Sequence, residues 1–227
     1  MTITLTAAPS SPSARPQPTR LQAYRDDGPL AAAFGRLTQG RLIPLPGTVL
    51  AAVATGALLV AAGADERTLP LLYPPLLTLL LVGPSAQHPH LGRLDWLVPP
   101  LMRGIEYGYL AALGFAQGVS APVIYVLLAV LAYHHYDTVY RTRQRLWPRE
   151  WVFAAGLGWE GRMFIAAFAG LFGQLAPAYI ALAVYLGLLF GVESVTAWVK
   201  AGRSNGVQVD LEEETDDETD QAGREAG

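Results

Sequence analysis

Between residues 44 and 199 the apolar positions come in long runs, not in the alternation of a half-buried strand. Six such runs stand out, at 44–63, 69–83, 97–116, 120–135, 150–173 and 176–199. A helix that crosses a bilayer needs about 20 apolar residues, and the first and last runs meet that length. The second, LPLLYPPLLTLLLVG, is short and holds Pro74 and Pro75, so a kink or poor alignment with the bilayer normal is expected. The fourth continues as a helical pattern through YHHYDTVYR, beyond the apolar run. The fifth is interrupted by GLGWEGR, with three glycines and two charges. It reads either as one span with a polar middle or as an interfacial helix followed by a short span.

Ahead of these runs, DDGPLAAAFGRLTQGRL opens with Asp26 and Asp27 at an expected N-cap and Pro29 in the first turn. Leu30, Ala33, Phe34 and Leu37 share one helical face, with Arg36 and Arg41 away from it. That pattern suits a short amphipathic helix lying on a bilayer, and an ordinary surface helix fits it equally. The expected class is all-α: a polytopic membrane protein of about six transmembrane helices behind an N-terminal surface helix. Residues 1–24 read as a disordered cytosolic arm, 25–203 as the membrane domain and 204–227 as a disordered acidic tail.

Composition sharpens this picture. Apolar residues make up 52% of the chain and charged ones 15%, a soluble protein's balance tilted towards lipid. The net charge of -3 hides an asymmetry, because residues 206–227 hold nine acids and one Arg. The remainder is basic, so the overall balance says nothing of partners, and none of the patterns points to nucleic acid. The absence of cysteine excludes disulfides and thiolate metal sites. Arg25, Arg36, Arg41, Arg93, Arg141, Arg143, Arg145, Arg149, Lys200 and Arg203 all fall on one side of a six-span layout, against Arg67 on the other. By the positive-inside rule this predicts a bacterial inner membrane protein with both termini cytosolic. Trp96, Trp147, Trp151 and Trp198 fall at the same cytosolic boundary, where amphipathic rings prefer to sit.

The candidate chemistry lies on that side too. In GRLDWLVPPLMRGIEYG, residues 92–108, helical spacing puts Asp95, Pro99, Arg103 and Glu106 close to one face. Ionisable groups in hydrocarbon are costly, so they face a protein interior or a water-filled cavity. His134, His135, Asp137 and Arg141 end the fourth run, Glu160 and Arg162 belong to the fifth, and Glu193 lies in the sixth. Arg103 and Glu106 can pair along their helix, or cross to Glu160 and Arg162, and purely structural pairing accounts for them as well as function does. His134, His135 and Asp137 offer metal ligands, but adjacent histidines point about 100° apart on a helix. Only one of them could share a site with Asp137, and an interfacial polar cluster is the alternative. Arg141 and Arg143 have the charge and fork geometry to hold an anionic lipid headgroup or a nucleotide phosphate.

GRLDWLVPPLMRGIEYG, YHHYDTVYRTR and GLGWEGR resemble the signatures of a bacterial integral-membrane family of unknown function associated with CDP-alcohol phosphatidyltransferase modules. The likeness covers about residues 25–200. A looser resemblance is to the CDP-alcohol phosphatidyltransferases themselves, whose D-x-x-D-G-x-x-A-R and G-x-x-x-D-x-x-x-D motif binds divalent metals for phosphoryl transfer. The corresponding LVGPSAQHPHLGRLDWLVPP keeps Gly92 and Asp95 but lacks the other carboxylates. The leading expectation is therefore non-catalytic: a module whose cytosol-facing pocket binds a phospholipid or nucleotide-alcohol type anion, or scaffolds a membrane-bound synthase, alone or as a homodimer. The pocket's binding residues would be Arg103, His134, His135, Arg141, Arg143, Glu160 and Arg162. The enzyme alternative is a divergent phosphotransferase using Mg or Mn, with Asp95, Glu106 and Asp137 as catalytic candidates and Asp95 and Asp137 as metal ligands. Small-molecule transport is the third reading, suited to Arg103 and Glu106 near midplane.

Overall fold

The structure is a computed structural model that describes residues 20–61 and 67–225, with side chains described from 21 to 203 apart from 150. The expected disordered arm thus lies outside the described residues up to 19. Every element among the described residues is helical: α1 Arg20–Arg25, α2 Pro29–Thr38, α3 Pro44–Ala61, α4 Tyr73–Val82, α5 Val98–Ala116, α6 Ala121–Arg143, α7 Glu150–Ala155, α8 Gly158–Leu171 and α9 Leu175–Glu225. Short 3-10 turns precede α4 and α5. Three helical stretches, at 44–61, 151–171 and 175–203, are long and apolar enough to suggest membrane association, with a shorter apolar one at 69–85. The backbone of α9 continues as helix into the acidic stretch expected to be disordered.

Several local expectations change for identifiable reasons. Pro74 and Pro75 do not kink the second segment; they occupy the first turn of α4, where a missing N–H costs nothing. Asp95 does not continue the stripe of α5, because it sits in a 3-10 turn (Asp95–Leu97) ahead of it, and Pro99 and Pro100 start the helix proper. The fifth segment is split: α7 ends at Ala155, and α8 begins after Leu157, a non-glycine residue at φ 69°.

Helices α3, α4 and α5 pack together, α6 lies along α9, and α8 threads between α4, α5 and α9. The packing leaves large apolar side chains outside and takes charged ones into an otherwise apolar core. Val53 and Val60 on α3, Val126 on α6, Phe168 on α8 and Leu188, Val192 and Val195 on α9 are exposed. Arg25, Asp26, Glu106, Arg141, Glu160 and Arg162 are buried, alongside apolar residues such as Trp159, Met102 and Leu110. Apolar outer faces over a charged interior are what a lipid environment favours. Helix α2 follows the same logic, burying Ala31 and Gly35 while leaving Leu30 and Leu37 outward.

Candidate functional site

The charged interior is organised around the four residues Arg25 to Gly28, in the tight connection between α1 and α2. The expected N-cap role of Asp26 and Asp27 does not hold: the N-cap of α2 is Gly28, which has no side chain to give. Glu160 supplies the cap from α8 instead. Its Oε2 accepts the Gly28 N–H at 3.0 Å and its Oε1 the Ala31 N–H at 3.1 Å. A carboxylate on the free N–H groups of a helix start satisfies orphan donors. Glu160, expected to bind a ligand, is thereby committed to holding the arm.

Gly158 of GLGWEGR serves the same contact. Gly158 has φ 59°, and a Cβ on it would lie 2.2 Å from the Gly28 nitrogen and 2.3 Å from its Cα. The Trp159 N–H donates to the Asp26 carbonyl at 3.2 Å, and its indole N–H donates to Asp27 Oδ1 at 2.8 Å. Asp27 also accepts from Arg25 Nε at 2.7 Å. Arg25 is fully buried, and its other nitrogens reach Ser85 Oγ at 3.1 Å, the Val82 carbonyl at 3.2 Å and His90 Nε2 at 3.2 Å. The other ring nitrogen of His90 bonds the His88 carbonyl. A carbonyl accepts and a guanidinium donates, so Nδ1 carries the proton and the ring is neutral. Burial first, and the Arg25 charge next, lower the His90 pKa to about 4.

Asp26 itself, at φ 55°, points between α5, α6 and α8. Its Oδ2 accepts from Arg162 Nη2 at 2.6 Å and lies 3.1 Å from His135 Nε2. Its Oδ1 lies 3.6 Å from His134 Nε2 and has no hydrogen-bond partner among the described residues. Burial opposes the charge on Asp26, but the guanidinium of Arg162 and the two adjacent imidazoles hold its carboxyl well below the usual range. Arg162 also donates from Nε to Glu106 Oε1 at 2.6 Å and from Nη1 to the Gly156 carbonyl at 2.9 Å. Arg103 donates to Glu106 Oε2 at 2.9 Å and to the carbonyls of Tyr24 and Arg25 at 2.8 and 2.6 Å. Arg103 and Glu106 pair along α5, and the cross-pairing goes from Glu106 to Arg162. His135 completes the group through Nδ1, 2.5 Å from the Tyr107 hydroxyl, and the His134 ring stacks on Phe190 at 3.7 Å. A cavity of about 320 Å³ opens beside Asp26, His134, His135, Arg103 and Thr138. Thr138 Oγ1 is a second buried atom there without a hydrogen-bond partner.

The structure thus gathers Arg103, Glu106, His134, His135, Glu160 and Arg162 around residue 26, and leaves the other expected site residues elsewhere. Both histidines reach Asp26, and neither is joined to Asp137. Asp137 pairs with Arg141 at 2.8 Å and accepts from Trp198 Nε1 at 3.2 Å. Arg141 is buried and bound by Glu193 through two hydrogen bonds of 2.8 and 2.6 Å, while Arg143 is exposed. Asp95 accepts the Gly92 N–H at 2.8 Å. Asp95, Glu106 and Asp137 do not share a metal-ligand cluster among the described residues; the one cluster of that kind is Asp26, His134 and His135. Asp26 was the residue that sequence reasoning missed as a site. Its place ahead of Gly-Pro has an ordinary local explanation as a cap, so the sequence carried no signal for it.

A second concavity, of about 660 Å³, lies between the α6–α7 connection and α9. Arg145, Arg149 and Lys200 line it with Trp147, Trp151 and Leu188, and the Arg141–Glu193 pair forms part of its wall.

A family model described as a family of unknown function, DUF5941, matches residues 16–215. The chain belongs to that family. No curated protein and no solved structure matches, and nothing in these comparisons links the chain to CDP-alcohol phosphatidyltransferases.

Proposed function

We propose that this member of the DUF5941 family is a multi-span membrane module whose cytosol-facing groove holds an anionic phospholipid-type molecule. One observation carries the reading: the 660 Å³ groove sets Arg145, Arg149 and Lys200 beside Trp147, Trp151 and Leu188. Cations beside an indole-lined apolar wall match a phosphate head joined to an acyl tail. The expected Arg141 is not a free ligand cation here, because Glu193 and Asp137 occupy it. In this reading all six segments cross the bilayer. Helices α5 and α6 fall short in apolarity because they carry Arg103, Glu106, His134, Asp137 and Arg141, charges and histidines that are turned largely inward, away from lipid. The Lys/Arg bias of the loops puts both termini in the cytosol.

The test is native mass spectrometry of the detergent-purified protein with phosphatidylglycerol and with phosphatidylcholine. Retention of the anionic lipid over the zwitterionic one, lost in Arg145→Gln/Arg149→Gln, supports the reading. Equal retention of both, or an unchanged preference in the double variant, refutes it. A divergent phosphotransferase would instead require Mg²⁺ or Mn²⁺ for retention, and a lipid module does not.

A further inference from the structure

We infer that Asp26, His134 and His135 form a binding site for a divalent first-row transition metal of the zinc type, open on one side to the 320 Å³ cavity. The three offer one ligand atom each, all within 4.8 Å of one another. Two imidazole nitrogens and one carboxylate oxygen suit zinc, cobalt, nickel or iron, and are a poor match for the all-oxygen shells of calcium and magnesium. Nearness alone would not make a site. The second observation is Asp26 Oδ1, a carboxylate oxygen on a residue only 2% exposed that has no hydrogen-bond partner. A buried carboxylate oxygen that bonds nothing forgoes a large stabilisation, and a cation placed between it and His134 Nε2, 3.6 Å away, restores it.

The surroundings fit a metal's outer shell. Arg162 holds Asp26 Oδ2 at 2.6 Å, which orients the carboxylate and leaves Oδ1 for the cation. His135 meets the Tyr107 hydroxyl through Nδ1, and a hydroxyl accepts a proton as readily as it donates one. Nε2 now bonds Asp26 Oδ2 at 3.1 Å; a metal would displace the proton between them, with Nδ1–H then donating to Tyr107, the tautomer a metal requires. Phe190 stacks on His134 and fixes its ring plane. The cavity wall next to the cluster gives a fourth coordination position, with Arg103 and Thr138 beside it. Two carboxylates, Asp26 and Glu106, face two guanidinium groups, Arg103 and Arg162, so an anionic fourth ligand such as hydroxide or a phosphate oxygen would offset the added charge. This inference is independent of the lipid groove, which shares none of these residues.

The experiment uses the full chain in detergent, titrated with Zn²⁺ alone and followed by calorimetry, with Co²⁺ as a spectroscopic substitute. Saturable binding of one Zn²⁺ per chain is expected, with Co²⁺ giving the visible bands of a low-coordinate nitrogen–oxygen site. His134→Gln should abolish it and His88→Gln should leave it intact. Tyr107→Phe should weaken it about tenfold, as loss of an outer-shell partner does. No saturable binding to the folded wild type overturns the proposal, and so does unchanged binding in a folded His134→Gln/His135→Gln variant. Should those variants fail to fold, zinc X-ray absorption on the wild type decides: imidazole scattering supports the site, and an all-oxygen shell overturns it.

Discussion

Replacing Gly158 by Ala probes how tightly the RDDG segment is seated. The added methyl would meet the Gly28 nitrogen at 2.2 Å and its Cα at 2.3 Å. Both are backbone atoms, so no rotamer change relieves the contact. Overpacking of this kind costs about 1–3 kcal/mol. Alanine at φ 59° adds about 1–2 kcal/mol for the left-handed conformation. The loss of unfolded-chain freedom returns less than about 1 kcal/mol. A net destabilisation of about 2–4 kcal/mol follows. Gly104→Ala is the control: it lies within α5, and a Cβ there meets nothing within 4 Å. It should be neutral or stabilising by up to about 1 kcal/mol. Equilibrium unfolding in mixed micelles reads both, and limited proteolysis around residues 20–38 reads whether the arm has come loose. Gly158→Ala within about 0.5 kcal/mol of the wild type, with an unchanged proteolysis pattern, would falsify the close docking of Gly28 on Gly158.

Further outcomes follow from the buried charges. Arg162→Met leaves Asp26 and Glu106 buried without their shared cation and should cost about 3–5 kcal/mol, again by unfolding in micelles; Arg162→Lys should rescue little, since an ammonium cannot span Asp26, Glu106 and the Gly156 carbonyl at once. Arg141→Met and Glu193→Leu should each destabilise, and the double variant should recover only part of the loss because Asp137 still lacks Arg141, a coupling that a double-mutant cycle measures. For His90, whose folded pKa is lowered to about 4, the unfolded chain takes up the proton first as pH falls. Stability should therefore decline from about pH 6.5 to pH 4, and His90→Gln should flatten that slope; a parallel profile in the variant would show that other groups set it.

The six apolar runs were legible because bilayer-length clusters of Leu, Val and Ala leave few alternatives, and helices form within all six. Helix starts were less so. Pro74 and Pro75 read as a kink because sequence does not say whether a proline pair opens a helix or interrupts one. The interior was half legible. Arg103, Glu106 and Arg162 announced themselves as charges in apolar surroundings, which must find partners. Asp26 did not, because a pair of aspartates ahead of Gly-Pro has an ordinary local explanation as a cap. What overrode it was tertiary: Glu160 takes over the capping, and Asp26 is freed to turn inward. GLGWEGR looked like an interruption of a span, and the closeness of Gly28 to Gly158 gives its middle glycine a reason.

The separation in sequence of the arm from its receptors bears on how the protein is made. Gly28 waits for Glu160, 132 residues later, and Asp26 for Arg162, 136 residues later. During synthesis the early helices form long before these partners leave the ribosome. Until then Glu106 has Arg103 but not Arg162, and the segment at residue 26 has no seat. Closure of this clasp is thus a late event, and a chain interrupted before α8 would carry an unmatched charge in its half-built interior, a mark by which quality-control proteases can tell it from the finished protein.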